Sequence, residues 1–230
     1  MTAQVGIVVV SHSAKIAEGV VELAGQMAPT VTFRAAGGTD DGGIGTSFDA
    51  IAAAISGAQS GKGVVVLCDL GSAILTAETA VDFLDDAEKA LVVIADAPVV
   101  EGTVAAAVAA ETGGTLAEVA AAARTASGVA DPHADERDLS RSEIKEAVER
   151  SAVLVNPSGL HARPAAELVK HASQFSSSVQ VNGVDAKSLL RIMGLGLAQG
   201  STVSLVASGP DAHEAVDALI TLIESGFGEV

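Results

Sequence analysis

Along residues 1–124, short runs of β-branched and other apolar residues alternate with longer stretches whose apolar positions recur every three or four residues. The runs at 4–10, 30–34, 63–68 and 91–94 read as strands without a polar face, and the stretches at 14–27, 47–55, 73–84 and 102–110 read as helices. Strands apolar on both faces and separated by helices predict an α/β fold, an open, mostly parallel sheet with helices on both faces. The pattern breaks at 125–150, where Gly128, Asp131, Pro132 and His133 precede a stretch of alternating charge. That segment reads as a charged linker with a solvated helix over 140–150. From 151 the periodicity restarts in shorter units: strand 152–155, helix 164–174, strand 178–182, a turn at Gly183 into 184–186, helix 188–194, strand 202–207 and helix 211–225. Ser188 and Asp211 are the expected N-caps and Gly226 the expected stop. A βαββαβα order predicts an α+β open-faced sandwich, with helices on one face of a small antiparallel sheet. The expected domains are 1–124 and 151–230.

Composition sharpens this picture. Hydrophobic residues make up 49% of the 230 positions and the mean hydropathy is +0.44, yet there are only five Phe and no Trp or Tyr. The cores must therefore be built from Ala, Val, Leu and Ile, and a site that stacks bases or sugars on rings is disfavoured. With 29 acidic and 13 basic residues the net charge is -16, and -10 of it falls in 1–124. Such a chain is repelled by nucleic acids and anionic membranes. No run of 18 apolar residues offers a membrane span, and no Lys or Arg precedes Lys15 to make a signal peptide's basic start, so a cytoplasmic protein is expected. The single cysteine, Cys68, lies in an apolar run and reads as a buried structural thiol. Residues 57–63 mimic a nucleotide loop, but the spacing is one short, no Ser or Thr follows Lys62, and a strand comes next.

Chemistry concentrates on two of the five histidines. His12 lies between a strand ending at 10 and a helix from 14. His161 follows the turn at 156–159 and precedes a helix near Pro164. Helix N-termini favour anions, and a neutral imidazole is a nucleophile, so a histidine in such a place makes a phosphoryl acceptor. A lone histidine there is more often only a polar turn residue; two, each with supporting groups, point to function. Beside His161 stand Ala162, Pro164 in the first helical turn, and Arg163, whose guanidinium suits phosphate oxygens. Beside His12 the candidates are Ser13, Gly45, Thr46, Gly71, Ser72 and Asp69. Asp69 either orients His12 through one ring nitrogen or caps the helix that follows it; spacing does not choose. His171 and His213 fall in helical patterns, and His133, between Asp131 and Asp135, reads as solvated linker, so no metal is expected.

The segment Asn156-Pro157-Ser158-Gly159-Leu160-His161-Ala162-Arg163-Pro164, with Ala186-Lys187-Ser188 and Leu195-Gly196-Leu197, resembles HPr, the histidine phosphocarrier of the bacterial sugar phosphotransferase system. Ile7-Val8-Val9-Val10-Ser11-His12-Ser13 resembles the phosphohistidine loop of mannose-type EIIA domains. With Gly45-Thr46-Ser47, Asp69-Leu70-Gly71-Ser72-Ala73 and Ala97-Pro98-Val99-Val100-Glu101-Gly102, the chain is most similar to DhaM, the phosphotransfer subunits of phosphoenolpyruvate-dependent dihydroxyacetone kinases. The resemblance implies that His161 is a pros-phosphohistidine clamped by Arg163, and His12 a tele-phosphohistidine with Asp69 behind it. It implies phosphoryl groups that come from phosphoenolpyruvate through enzyme I and HPr. They end on ADP held by a partner, DhaL, for dihydroxyacetone bound to another, DhaK. It further implies no cofactor on this chain and a homodimer through the first domain. Ser188 matches the position that HPr kinase modifies in some bacteria. Some members carry an enzyme-I-like domain after the HPr part; here enzyme I is expected in trans. Two other readings stay open: a component of a mannose-type sugar permease, and a regulatory relay read by a transcription factor.

Overall fold

A computed structural model describes residues 3–127 and 147–229, which fall into two units divided at 130/131. In the first, β1 (Gly6–Ser11), β2 (Phe33–Gly37), β3 (Val64–Cys68) and β4 (Val92–Ala95) form a wholly parallel sheet in the order β2-β1-β3-β4. Neighbouring side chains of β1 and β3 pass to opposite faces. Ile7, Val65 and Leu67 pack against Ala24 of α1 (Ala14–Gly25), Ala106 and Ala110 of α5 (Val99–Glu111), and Val119 of α6 (Leu116–Arg124). Val8, Val10, Val64 and Val66 pack against Ile51 and Ile55 of α2 (Phe48–Ala58) and Ala73 and Ala77 of α3 (Gly71–Asp82). A strand buried on both faces has no place for a polar stripe, which is why these runs are apolar throughout. The small side chains let helices lie close: a Cβ on Gly6 of β1 would sit 2.2 Å from the Ala58 carbonyl oxygen at the end of α2.

Two departures from the expected pattern are instructive. β2 forms at Phe33–Gly37 and not at 30–34. The β-branched residues at 30–32 suggest an earlier strand, but parallel pairing of Phe33 with Ile7 through Gly37 with Ser11 decides where the ladder runs. Helix α6 falls outside the expected set although it carries a capping box: the Glu118 carboxylate accepts the Thr115 N–H at 2.8 Å. The four-residue α4 (Asp86–Lys89) buries no side chain and leaves no periodic trace.

The second unit follows the order β5 (Val148–Val153), α7 (Ala162–Ala172), β6 (Ser178–Val181), β7 (Val184–Asp185), α8 (Leu189–Gly194), β8 (Thr202–Ser208) and α9 (Ala212–Glu224). Its antiparallel sheet runs β5-β8-β6-β7. Strand residues alternate with period two: Ala152, Val179, Val181, Val203 and Leu205 are buried, while Ser151, Val153, Ser178 and Gln180 are exposed. Helix α9 packs on β5, β8 and β6, and α7 packs on α8 and α9. Because β5 begins at Val148 and Arg150 pairs with Leu205, the last residues of the helix expected over 140–150 are strand. The rest of that expected helix, with His133, Asp131 and Asp135, lies outside the described residues.

Neither expected cap makes its bond. Ser188 and Asp211 occupy N-cap positions without a side-chain capping hydrogen bond. The Asp211 carboxylate instead accepts the Ser177 hydroxyl and the N–H groups of Ser176 and Ser177, at 2.9 and 2.8 Å, tying the turn before β6 to the start of α9. Those bonds, the Ser177 hydroxyl foremost, hold its carboxyl below the ordinary range. Among the described residues no helix is long and apolar enough to cross a membrane.

The packing at Gly6 sets an expectation for the sheet. Gly6→Ala forces a shift against the end of α2 and costs about 3 kcal/mol. Gly19→Ala, in α1 with open space around it, gains about 0.5 to 1 kcal/mol because helix interiors disfavour glycine. Urea denaturation of the two variants checks both signs.

Candidate functional site

In the order β2-β1-β3-β4, the connection leaving β1 heads to one side and that leaving β3 to the other, so the sheet opens a crevice at the C-terminal ends of these two strands. His12 follows β1 and Asp69 follows β3. The Asp69 N–H prolongs the ladder by donating to the Val10 carbonyl at 3.1 Å, which delivers its carboxylate beneath His12. One carboxylate oxygen accepts the His12 main-chain N–H at 2.9 Å and the Ser11 hydroxyl at 2.8 Å. The other lies 3.0 Å from His12 Nδ1 and accepts the Leu70 N–H at 2.7 Å. The N-cap of α3 is Leu70 and not Asp69, and the Asp69 carboxylate lies against the His12 ring.

Burial works to raise the Asp69 pKa, but the bonds from the His12 N–H, the His12 ring, the Ser11 hydroxyl and the Leu70 N–H outweigh it and leave the carboxyl below the usual range. An ionised carboxylate only accepts, so in the neutral ring Nδ1 carries the proton and Nε2 the lone pair. That lone pair faces the Ser72 hydroxyl at 2.7 Å. The His12 side chain is 21% exposed and that of Asp69 13%, a ring held from below and open at one edge.

The remaining candidates of this unit gather around the same pair. The Ser13 N–H donates to the Ser11 hydroxyl oxygen at 3.1 Å, and the Gly45 N–H donates to the His12 carbonyl at 2.9 Å. Gly45 sits at φ +150, where a Cβ would lie 2.6 Å from a Thr39 methyl carbon. The Thr76 hydroxyl donates to the Ser72 carbonyl at 3.0 Å, so Thr46, 3.0 Å from Thr76, spends its own proton there and braces α3. Gly71 and Ser72 head α3, where main-chain N–H groups have no preceding helical carbonyl to bond. Ser11 and Thr76 are the members that sequence reasoning passes over. Ser11 left one signal: a hydroxyl closing an otherwise apolar strand, buried in full. Cys68 is buried, and desolvation, then the charges of Asp69 and Glu78, push its thiol up to about 12.

In the second unit His161 is the N-cap of α7, exposed, with its carbonyl accepting the Ala165 N–H at 2.9 Å. Ala162 and Arg163 supply the first helical N–H groups, and Pro164 has none to leave unpaired. The exposed Arg163 guanidinium has no hydrogen bond or ion pair to another described residue. The loop before His161 is docked tightly: Gly159 is at φ +63, a Cβ there would sit 2.3 Å from the Leu197 carbonyl oxygen, and the Leu160 N–H donates to that oxygen at 2.8 Å. Asn156, fully buried, donates from Nδ2 to the Gly159 carbonyl at 2.9 Å and to the Glu229 carboxylate at 3.1 Å. Ser188 is half-buried at the start of α8. His171 and His213 lie on α7 and α9.

Two other features carry no such chemistry. The 57–63 loop joins α2 to β3, and two of its amides are taken by its own Gln59, whose side-chain oxygen accepts the N–H groups of Gly61 and Gly63 at 3.0 and 3.2 Å. Among the described residues no three His, Cys, Asp or Glu side chains gather as a metal-holding group.

Two family models match the chain: EIIA-man, the PTS system fructose IIA component, over residues 6–120, and the PTS HPr component phosphorylation site over 148–225. The phosphoryl donor subunit DhaM of a PEP-dependent dihydroxyacetone kinase from Providencia stuartii is 34% identical over 98% of this chain and 50% of its own length. That of dihydroxyacetone kinase 2 from Listeria innocua is 45% identical over 45% of this chain and 84% of its own length. The phosphocarrier protein HPr of Cupriavidus necator is 46% identical over 36% of this chain and 97% of its own length. The chain spans about half the length of the full-length DhaM relatives it matches.

The hydrogen bonds at Asp69 imply a definite pH dependence. Its native pKa lies below the unfolded value of about 3.9. The stability it contributes is therefore complete above that value and lost as pH falls through the lowered native one. Asp69→Asn is expected to be less stable than wild type at neutral pH, with the gap closing below about pH 3.9 as wild type itself loses the charge. Urea denaturation across pH reads this, and a gap unchanged down to the acid limit contradicts it. Imidazole ¹⁵N shifts are expected to place the His12 proton on Nδ1 in wild type.

Proposed function

The chain belongs to the family of phosphoryl donor subunits of PEP-dependent dihydroxyacetone kinases, with a mannose-type EIIA domain followed by an HPr domain, and on that premise we propose that it is a phosphocarrier that relays phosphoryl groups through His161 and His12. The observation that carries this reading is the His12 ring, held by Asp69 at Nδ1 and presenting Nε2 to Ser72.

The chemistry follows from that arrangement. The Nε2 lone pair attacks phosphorus of an incoming phosphohistidine; the donor N–P bond breaks as the new one forms, and the donor ring keeps its own proton. His12 thereby becomes cationic beside the Asp69 carboxylate, which stabilises the charge. The Ser72 hydroxyl turns its proton from Nε2 to a phosphoryl oxygen, and the N–H groups of Gly71 and Ser72 with the α3 dipole meet the others. Little covalent chemistry is asked of the protein beyond positioning and charge stabilisation. At His161 the acceptor is Nδ1; the amides of Ala162 and Arg163 and the Arg163 guanidinium hold the phosphoryl oxygens.

The phosphoryl group enters from phosphoenolpyruvate through enzyme I and HPr and leaves from His12 to ADP held on the DhaL partner. The ATP formed there phosphorylates dihydroxyacetone on DhaK. This chain then needs no nucleotide of its own. The net charge of -10 over residues 1–124 suits encounter with basic partner surfaces.

Labelled phosphoenolpyruvate with enzyme I and HPr tests the relay. Wild type is expected to carry label on both histidines and to discharge it to ADP on the kinase partner. His12→Ala keeps label on His161 but does not discharge it, and Asp69→Ala slows labelling of His12 on the order of 10²-fold. A wild type that takes up label and never passes it to ADP on the partner refutes the reading.

A further inference from the structure

We propose that Glu229 is a positioning residue for His161, its carboxylate fixing the orientation of the buried Asn156 amide that holds the histidine's loop. The inference rests on His161 being a phosphoryl acceptor. An asparagine side chain offers two N–H donors and one acceptor oxygen. At Asn156 both donors are used, one on the Gly159 carbonyl and one on Glu229, while the amide oxygen Oδ1 is buried with no partner among the described residues. Buried polar groups are seldom left so, and nothing on the oxygen side holds the amide in place.

Glu229 opposes a reversal of the amide. An ionised carboxylate only accepts, so only the amide NH2 can face it, and its second hydrogen then points at the Gly159 carbonyl. Were the amide reversed, its oxygen would confront both the carboxylate and that carbonyl. Without Glu229 the productive orientation is held by a single bond.

The orientation matters because Asn156 closes the loop from both ends. Its carbonyl accepts the Gly159 N–H at 3.2 Å, and its side chain returns a bond to the Gly159 carbonyl. Gly159 stands two residues before His161, wedged against Leu197 and Ala198. A Gly159 carbonyl released from its clamp reorients the chain leading into His161, and with it the imidazole relative to the first amides of α7. The fold invests in bringing Glu229 there: after α9 the chain passes through Phe227 at φ +55, an unfavourable conformation for a non-glycine residue, and the Glu229 N–H bonds the Gly226 carbonyl at 2.9 Å. Seventy-three positions separate Glu229 from the amide it holds.

The test uses the whole chain with Glu229→Ala and Glu229→Gln, loaded from labelled phosphoenolpyruvate by enzyme I, together with NMR of the Asn156 side-chain amide. Expected for Glu229→Ala is loading of His161 slowed about five- to twentyfold in kcat, with KM for enzyme I within about twofold, as misplacement of a reacting group predicts. Protection of the Asn156 Nδ2 protons against exchange is expected to fall in parallel. Glu229→Gln, whose amide can meet either side of Asn156, is expected to load at an intermediate rate and to show a second pair of Asn156 Nδ2 signals. Loading of Glu229→Ala at the wild-type rate, or a rise in KM alone, overturns the proposal. So does a single unchanged Nδ2 pair in Glu229→Gln, an outcome that stays readable if the alanine variant folds poorly. A wild type that never acquires label on His161 refutes instead the reading of that histidine as an acceptor.

Discussion

Four donors from two sequence segments converge on the Asp69 carboxylate: the main-chain N–H and ring of His12, the Ser11 hydroxyl and the Leu70 N–H. The geometry of the first site follows from this one acceptor. It holds the turn between β1 and α1 through the His12 N–H, sets which ring nitrogen bears the proton, and joins the start of the turn into α3. The parallel sheet makes the convergence possible, because β1 and β3 are neighbours and their outgoing connections part at that point. A carboxylate so well supplied with donors has its pKa held below the usual range, which favours its ionised form.

The second histidine is positioned by other means. His161 has no carboxylate against its ring among the described residues; its orientation comes from the main chain, through a turn closed by Asn156 and docked on the 195–200 segment. In the first unit the side chain is held and in the second the backbone is held. The exposed Arg163 beside His161 and the helix-heading Ser72 beside His12 supply the remaining polarity.

Much of this was legible along the chain, for a physical reason: strands buried on both faces leave unbroken apolar runs, and β-to-α turns leave polar residues at their ends. His12 and Asp69 announce themselves in that way, as does His161. Where the Asp69 carboxylate points was not legible, because capping and orienting require the same residue in the same place; in the fold Leu70 is the N-cap and the carboxylate meets the His12 ring. β2 was displaced because pairing partners, and not local β-propensity, set its register. The capping box at Thr115 and Glu118 was present in the sequence but followed the glycine pair at 113 and 114, which reads as an ending. Ser11 was half-legible, Thr76 hardly so, and the Asn156–Glu229 contact not at all, since no local pattern links residues so far apart.

The two ends of the first sheet also differ in what meets their main-chain N–H groups. At the end that bears His12, helix α3 begins at Gly71, and its first main-chain N–H groups have no helical carbonyl before them. At the opposite end, the glycine-rich 57–63 loop has turned two of its amides, those of Gly61 and Gly63, onto the Gln59 side chain. That glutamine is a neutral tenant among the loop's glycine amides. The loop thus spends part of its own polarity internally, while the turn at the other end keeps one edge of an imidazole open to solvent.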